Sequence, residues 1–162
     1  MQESCEPLLV PVRAEASLPQ LLTTNATQRG DKVGYAVREG ATWREITHRE
    51  FLAEVEQLAK GFMASGVRPG DRVALMSHTR YEWTLVDLAL LTAGAVVVPV
   101  YETSSADQIS WILRDSGSIA AIVEDVIKLL DNVGNGLPFP NTPKHSFSLW
   151  ASYKPMAKLT LG

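Results

Sequence analysis

Polar side chains that could act on a ligand follow two buried-type apolar runs of the sequence. Tyr101, Glu102, Thr103 and Ser104 come directly after a valine-rich run, and His78 comes directly after a shorter apolar run. Open α/β sheets bind ligands outside the carboxyl ends of their strands. The four residues 101–104 could therefore form one side of a substrate site, and an imidazole at position 78 could serve as a general base.

Each of these groups also has a simpler structural interpretation. Ser105 stands three residues before Gln108, the spacing of a helix capping box, and Tyr101 is then expected to pack on the sheet. No nucleophile motif surrounds His78, so a structural or solvated role is favoured. The patterns alone assign no catalytic, cofactor-binding or metal-binding residue.

The remaining histidines and the tryptophans also have simpler structural interpretations. His48 and His145 receive no function. Trp83 and Trp111 fall within predicted helices, where aromatic side chains usually pack against a core rather than stack on a nucleotide base.

Nine local patterns predict the elements that must position these residues. They are a helix at 18–28, a hairpin of Val33–Val37 and Thr42–Ile46, a helix capped by Thr47 and Glu50, a strand at Arg72–Ser77, a helix capped by Thr79 and Glu82 and running to Thr92, a strand at Ala95–Tyr101, a helix from the Ser105 cap to Gly117, and a strand at Ile119–Glu124. From about residue 72 the strands and helices alternate, and the valines of 95–101 suggest a central strand covered on both faces. The predicted class is therefore α/β, with a partial parallel sheet, flanking helices and right-handed crossovers.

Composition excludes several classes of function. The formal net charge is −3, and the basic residues are scattered, so we expect no nucleic-acid partner. Cys5 is the one cysteine, which rules out an internal disulfide or a zinc cluster and favours a reducing cytoplasm. The first residues lack the pattern of a secretory signal. The longest apolar stretch, Leu88 to Val100, is shorter than the roughly 20 residues that a membrane-spanning helix needs, so no transmembrane segment is expected.

The character of the sequence changes after Glu124. The net charge is −5 over residues 1–124 and +2 over residues 125–162, and four of the nine prolines lie in the second segment. Residues His145–Tyr153 alternate between apolar and polar side chains, which predicts an antiparallel strand. We therefore expect one unit at 1–124, and an irregular or β-type tail at 125–162.

Several motifs occur in an order that resembles a known enzyme family. Gly66–Ser77, Thr79–Trp83 and Ala93–Pro99 resemble the N-terminal portion of the AMP-binding, adenylate-forming acyl-CoA ligases. Tyr101–Ser105 and Trp111–Gly117 resemble its long-chain fatty-acid branch in particular. The resemblance covers about residues 17–124. It implies an enzyme that uses ATP and Mg²⁺ to convert a fatty acid to an acyl-adenylate, and then transfers the acyl group to coenzyme A.

The same resemblance shows what the chain lacks. In that family a Ser/Thr/Gly-rich loop ending in Lys-Gly cradles the triphosphate, and no segment here matches it. The later adenine- and ribose-binding segments and the C-terminal lid with its catalytic lysine are also missing. We expect an incomplete N-terminal subdomain that binds no cofactor and has no turnover alone. The sequence does not decide whether this chain is an enzyme.

The resemblance also sets expectations for partners. Tyr101, Glu102, Thr103 and Ser104 would shape a wall on the fatty-acid or acyl-CoA side rather than perform a chemical step. An exposed sheet edge would favour self-association. Cytoplasmic localisation is expected, with membrane-peripheral binding in the full-length family. A non-catalytic binding or interaction module on the same framework is the alternative.

The end of the sequence resembles a different family. Asn141–Tyr153 and Leu159–Gly162, within about 135–162, are similar to a strand segment of a TonB-dependent siderophore receptor. This implies a joined or frame-disturbed sequence with its junction between Asp125 and Gly136. A third alternative, a fragment of an outer-membrane receptor, depends on this tail alone, and the missing secretory signal argues against it.

Overall fold

The architecture was taken from a computed structural model, which describes residues 16–124. Its elements in chain order are α1 (Leu18–Arg29), β1 (Val33–Glu39), β2 (Thr42–Thr47), α2 (His48–Ala64), β3 (Arg72–Met76), α3 (Tyr81–Thr92), β4 (Val96–Val100), α4 (Ala106–Ser116) and β5 (Ala120–Val123). Each predicted element from 18 to 124 is present, and the α/β class is confirmed. The predicted strand at 145–153 lies outside the described residues.

A three-stranded parallel sheet forms the centre of the molecule. The strand order is β4-β3-β5, and Met76 at the end of β3 pairs with Val100 of β4 and Val123 of β5. The carboxyl ends of all three strands therefore lie side by side. Within residues 16–124, β3 is the central strand and β4 is at an edge, so the prediction that β4 is central was wrong. Val96 of β4 is 48% exposed, and the expected cover on both faces is incomplete there.

Helices cover both faces of this sheet because the side chains of β3 alternate between two cores. Val73 and Leu75 join the larger core with residues of α2 and α3. Ala74 and Met76 join the smaller core with Ile109 and Leu113 of α4. Strand side chains alternate with a period of two, so a run that is apolar at every position has a hydrophobic partner on each side.

The hairpin β1–β2 is antiparallel and packs on α2. Its turn lies between Glu39 and Thr42, with Gly40 at φ +62°. The rings of Tyr35 in β1 and Phe51 in α2 are in contact at a tilt of 40°, with centroids 4.3 Å apart, and the ring of Tyr81 from α3 lies 5.8 Å from Phe51. These ring contacts pack the hairpin against α2 and α3.

Of the caps predicted at Thr47, Thr79 and Ser105, two are complete capping boxes and one is absent. Thr47 with Glu50 and Ser105 with Gln108 each make the reciprocal pair of hydrogen bonds. The third prediction was wrong, since α3 begins at Tyr81 and its N-cap, Arg80, makes no side-chain cap. Glu82 accepts instead from the guanidinium of Arg80, because a contact in which both partners are charged is stronger than one between a carboxylate and a neutral N–H.

The tryptophans in helices differ in their packing. Trp83 is partly buried against the larger core, as predicted. Trp111 is 65% exposed, so the prediction that it packs was wrong. Helix α4 buries Ile109 and Leu113, spaced i and i+4, and Trp111 lies midway between them on the opposite face. No helix among residues 16–124 has the length and apolar character needed to cross a membrane.

Candidate functional site

Polar side chains from three loops meet at the carboxyl edge of the sheet. The segment after β3 contributes Ser77, His78 and Arg80, together with Glu82 in the first turn of α3. Glu102 follows β4, and Glu124 follows β5. These six residues are called the carboxyl-edge cluster. The register that aligns the three strand ends brings them together, at the position where open α/β sheets bind ligands.

Glu124 is the centre of this cluster. Its Oε2 accepts hydrogen bonds from Ser77 Oγ at 2.9 Å and from the backbone N–H of His78 at 3.0 Å, and it lies 3.1 Å from His78 Nδ1. Its Oε1 accepts from a terminal nitrogen of Arg80 at 2.7 Å. One carboxylate from β5 therefore fixes the whole segment 77–80 that leads from β3 to α3.

These contacts keep Glu124 ionised. Burial by itself raises the pKa of the Glu124 carboxyl, but hydrogen bonds from the His78 backbone, Arg80, Ser77 and the His78 ring outweigh it. The pKa falls to about 2 as a result. Hydrogen bonds to the charged form favour that form, so this group is an anion throughout the neutral range.

The ring of His78 lies between two carboxylates. Its Nδ1 is 2.7 Å from Oε2 of Glu102 and 3.1 Å from Oε2 of Glu124. Ionised carboxylates only accept hydrogen bonds. The hydrogen bond to the ionised Glu124 therefore requires a proton on Nδ1. The sequence predicted a structural or solvated His78, and the structure gives it two anionic partners.

Arg80 is the cation of the cluster. It pairs with Glu82 through Nε and with Glu124 through a terminal nitrogen. Hydrogen bonding to Glu82 is the main cause that raises the pKa of Arg80. Burial raises the pKa of Glu82, but the guanidinium outweighs that effect and lowers it overall. The positive charge of Arg80 therefore stabilises the ionised forms of both Glu82 and Glu124.

This edge does not suit a triphosphate. A phosphate needs positive charge and a row of backbone N–H donors, whereas the cluster holds three carboxylates, of which Arg80 pairs with two. Among residues 16–124, no group of three or more His, Cys, Asp or Glu side chains could hold a metal ion. The carboxyl-edge cluster therefore lacks the excess of positive charge that the phosphates of ATP would need.

The predicted wall residues lie beside the cluster. Ser104 N–H donates to the carbonyl of Tyr101 at 3.0 Å, closing a turn over residues 101–104. The cap by Ser105 is confirmed, but Tyr101 is 83% exposed, so its predicted packing on the sheet was wrong. The strand ends at the buried Val100, and the turn carries the next side chain away from the core. A wall function for 101–104 stays a prediction.

Three members of the cluster were not singled out by sequence reasoning. Ser77, Arg80 and Glu124 lack any local motif, and Glu124 bonds to residues 44 to 47 positions away in the chain. One signal could have found Ser77 and Glu124, although not Arg80. Each parallel strand is followed within two residues by a polar side chain, and the ends of parallel strands share one edge.

Comparison with known proteins agrees with this fold. The family model of the AMP-binding enzymes matches residues 22–149. The chain belongs to the AMP-binding enzyme family. The long-chain-fatty-acid–CoA ligase FadD15 of Mycobacterium bovis is 43% identical over 94 residues, which are 58% of this chain and 16% of that ligase. This member of the family therefore spans about a sixth of the length of that relative.

Solved structures of the family share the same arrangement. A protein of Rhodopseudomonas palustris described as a long-chain-fatty-acid CoA ligase superposes with a TM-score of 0.65 at 26% identity, over 78% of this chain and 35% of that one. The N-terminal subdomain of Klebsiella oxytoca NpsA superposes with a TM-score of 0.62 at 28% identity, over 69% of this chain and 28% of that one. The described sheet and helices match the N-terminal part of the adenylate-forming fold.

The second predicted resemblance has no such support. The similarities found give nothing in favour of a TonB-dependent receptor segment at 135–162. The match to the AMP-binding family continues to residue 149, beyond the proposed junction at 125–136. The domain boundary after Glu124 stays a prediction.

Proposed function

We propose that this chain supplies the N-terminal sheet of a ligase that activates long-chain fatty acids. The proposed reaction joins the fatty acid to AMP from ATP, and then transfers the acyl group to the thiol of coenzyme A. The observation that carries the proposal is the series of motifs between Thr42 and Gly117, which lies in a chain 43% identical to FadD15 over 94 residues. Family membership alone would not select this acid, because one fold serves many substrates.

The carboxyl edge contributes to substrate binding in this proposal. The turn 101–104 forms a wall on the acyl side, and the exposed ring of Tyr101 offers an apolar surface to a hydrocarbon chain. The three carboxylates of the cluster repel phosphate groups, so the triphosphate binds elsewhere. ATP supplies the adenylate when it is bound, and Mg²⁺ offsets phosphate charge, both in parts of the ligase other than residues 16–124.

Acting alone, the chain does not turn over in this proposal. The sequence holds no Ser/Thr/Gly-rich loop that ends in Lys-Gly, and the transition state of adenylation needs positive charge at the transferred phosphate. We expect the isolated chain to self-associate through the edge strand β4, where Val96 is exposed. Cytoplasmic localisation completes the proposal, because ATP and coenzyme A would be available there.

A chimera tests the proposed substrate. Residues 17–124 replace the corresponding segment of FadD15, and fatty-acid-dependent pyrophosphate exchange is measured with palmitate and with acetate. We expect the chimera to keep exchange with palmitate at a rate within about tenfold of FadD15, and to show little with acetate. FadD15 itself is the positive control, and this chain alone is expected to give no exchange.

The alternative of a non-catalytic binding module predicts a different result. A folded chimera without exchange, together with binding of fatty acid by this chain in the absence of ATP, would overturn the ligase proposal. Circular dichroism and a thermal transition establish that the chimera is folded. Exchange that prefers acetate would instead reject the long-chain assignment while leaving the ligase chemistry in place.

A further inference from the structure

We propose that His78 and Glu124 are positioning residues that hold the turn 101–104 in place for the acyl substrate. The inference rests on the proposed function, because the turn is taken to contact that substrate. It concerns two residues that lie on other loops and act through Glu102. Their effect is thus expected in substrate binding rather than in the chemical step.

The first observation is the weak packing of the turn itself. Tyr101 is 83% exposed, and Thr103 is also exposed. The turn begins at the buried Val100 and ends at Ser105, the cap of α4. Its middle must be fixed by polar contacts, since few apolar groups there are removed from water.

The second observation is the contact from this turn to the loop after β3. Oε2 of Glu102 lies 2.7 Å from Nδ1 of His78, and the Glu102 side chain is 29% exposed. This distance is that of an ion pair when the imidazole carries its second proton, and contacts between oppositely charged groups are among the stronger polar contacts in proteins. It joins the edge strand β4 to the central strand β3 at their carboxyl ends.

The third observation shows what fixes the ring of His78. Glu124 accepts the backbone N–H of His78 at 3.0 Å and lies 3.1 Å from the same Nδ1. Its other oxygen holds Arg80 two residues further on. Backbone and ring are therefore both oriented from the end of β5, with Nδ1 close to both carboxylates.

Together these contacts form a path across the sheet edge from Glu124 through His78 to Glu102. Loss of the Glu124 charge would free the ring to rotate or to change tautomer, and the amide of a glutamine there could donate to Nδ1. The turn would then lose the geometry of its contact with His78. In metal sites, replacing the partners that orient the ligands lowers affinity or activity by about 10–100-fold, and we expect the lower end of that range here.

Steady-state kinetics of the chimera test this effect. For Glu124→Gln and His78→Leu we expect the KM for palmitate to rise about tenfold, with kcat within about twofold. His78→Asn keeps an N–H donor at the position of Nδ1 and should restore most of the affinity. Glu56→Gln, an exposed change on α2, is the matched control and should alter neither constant.

Three kinetic outcomes would overturn the inference. One is an unchanged KM in Glu124→Gln and His78→Leu while the unsubstituted chimera is active. That result would reject the positioning role and leave the proposed function in place. Another is an equal fall in kcat for all three variants, which would indicate a general structural effect. A His78→Asn variant as poor as His78→Leu would also contradict the hydrogen-bonding argument.

Nuclear magnetic resonance of this chain separates the inference from the proposed function. Ring nitrogen shifts should show His78 protonated at Nδ1, with His78→Asn assigning the signal among the three histidines. Glu124→Gln should shift the amide signals of Thr103 and Ser104, and Glu56→Gln should not. An unprotonated Nδ1 in the neutral ring, or unmoved turn amides, would overturn the inference whatever the chimera does.

Discussion

Gly94 provides a quantitative check on the packing between the loop before β3 and the end of α3. Its φ is +81°, a region that L-residues with a side chain rarely adopt. A Cβ added there would lie 3.1 Å from Cβ of Pro69 and 3.3 Å from its Cα. Gly70, with φ +86°, has nothing within 4 Å of an added Cβ. The two glycines thus share a strained backbone but differ in free space.

The expected cost of Gly94→Ala has two parts. The positive φ costs about 1–2 kcal/mol for a residue with a Cβ. Contact with Pro69 adds about 1–3 kcal/mol, because the proline ring has a fixed φ and cannot turn aside. We therefore expect Gly94→Ala to lower the free energy of unfolding by about 2–5 kcal/mol and Gly70→Ala by about 1–2 kcal/mol.

Urea denaturation followed by circular dichroism measures both variants against the parent chain. Both variants keep the backbone hydrogen bond from Gly70 N–H to the Gly94 carbonyl, which is 2.8 Å long. The difference in stability between them therefore does not include a lost hydrogen bond. Equal losses of stability would show that the Pro69 contact has no energetic weight. A Gly94→Ala variant as stable as the parent would refute the backbone argument as well.

Three further predictions concern single side chains. Glu124→Gln should destabilise the chain at pH 7 by about 1–2 kcal/mol after allowance for solvent screening; because the folded pKa is depressed, the loss should shrink as the pH falls from about 5 toward 2 in urea titrations. Tyr81→Phe removes a 2.7 Å hydrogen bond to Glu54 and should cost about 1–2 kcal/mol in the same assay, whereas a cost near zero would show that water replaces it. Leu113→Ala should cost about 2–5 kcal/mol and Trp111→Ala less than about 0.5 kcal/mol in thermal melts, and a reversed order would contradict the orientation of α4.

The order of helices and strands was predictable because each element carries its own local signal. The box of Thr47 and Glu50, and the glycine at 117 with φ +61°, mark helix ends from a few neighbouring residues. The short apolar run of β3 predicted a buried strand. Local signals of this kind need no knowledge of the rest of the chain.

Errors occurred where a distant or stronger partner competes with the local signal. Glu82 has the spacing of a capping residue but pairs with the Arg80 guanidinium. Trp111 was expected in a core because of its residue type, although the i, i+4 pair Ile109 and Leu113 already defines the buried face. The position of Trp111 on the helix predicts its exposure better than its residue type does. Strand order was beyond the local patterns, since β4 pairs with β3 at an edge.

The carboxyl-edge cluster shows why sites are harder to predict than elements. Glu102 and His78 could be placed at strand ends from their neighbours alone. Glu124 could not be connected to them, because that step requires knowing that β5 lies beside β3 rather than beside β4. Once the strand order is known, the register places Val123 against Met76, and the residues that follow these two meet at the sheet edge. The function of single residues at this edge thus depends on topology, and the substitutions at 78 and 124 test that dependence directly.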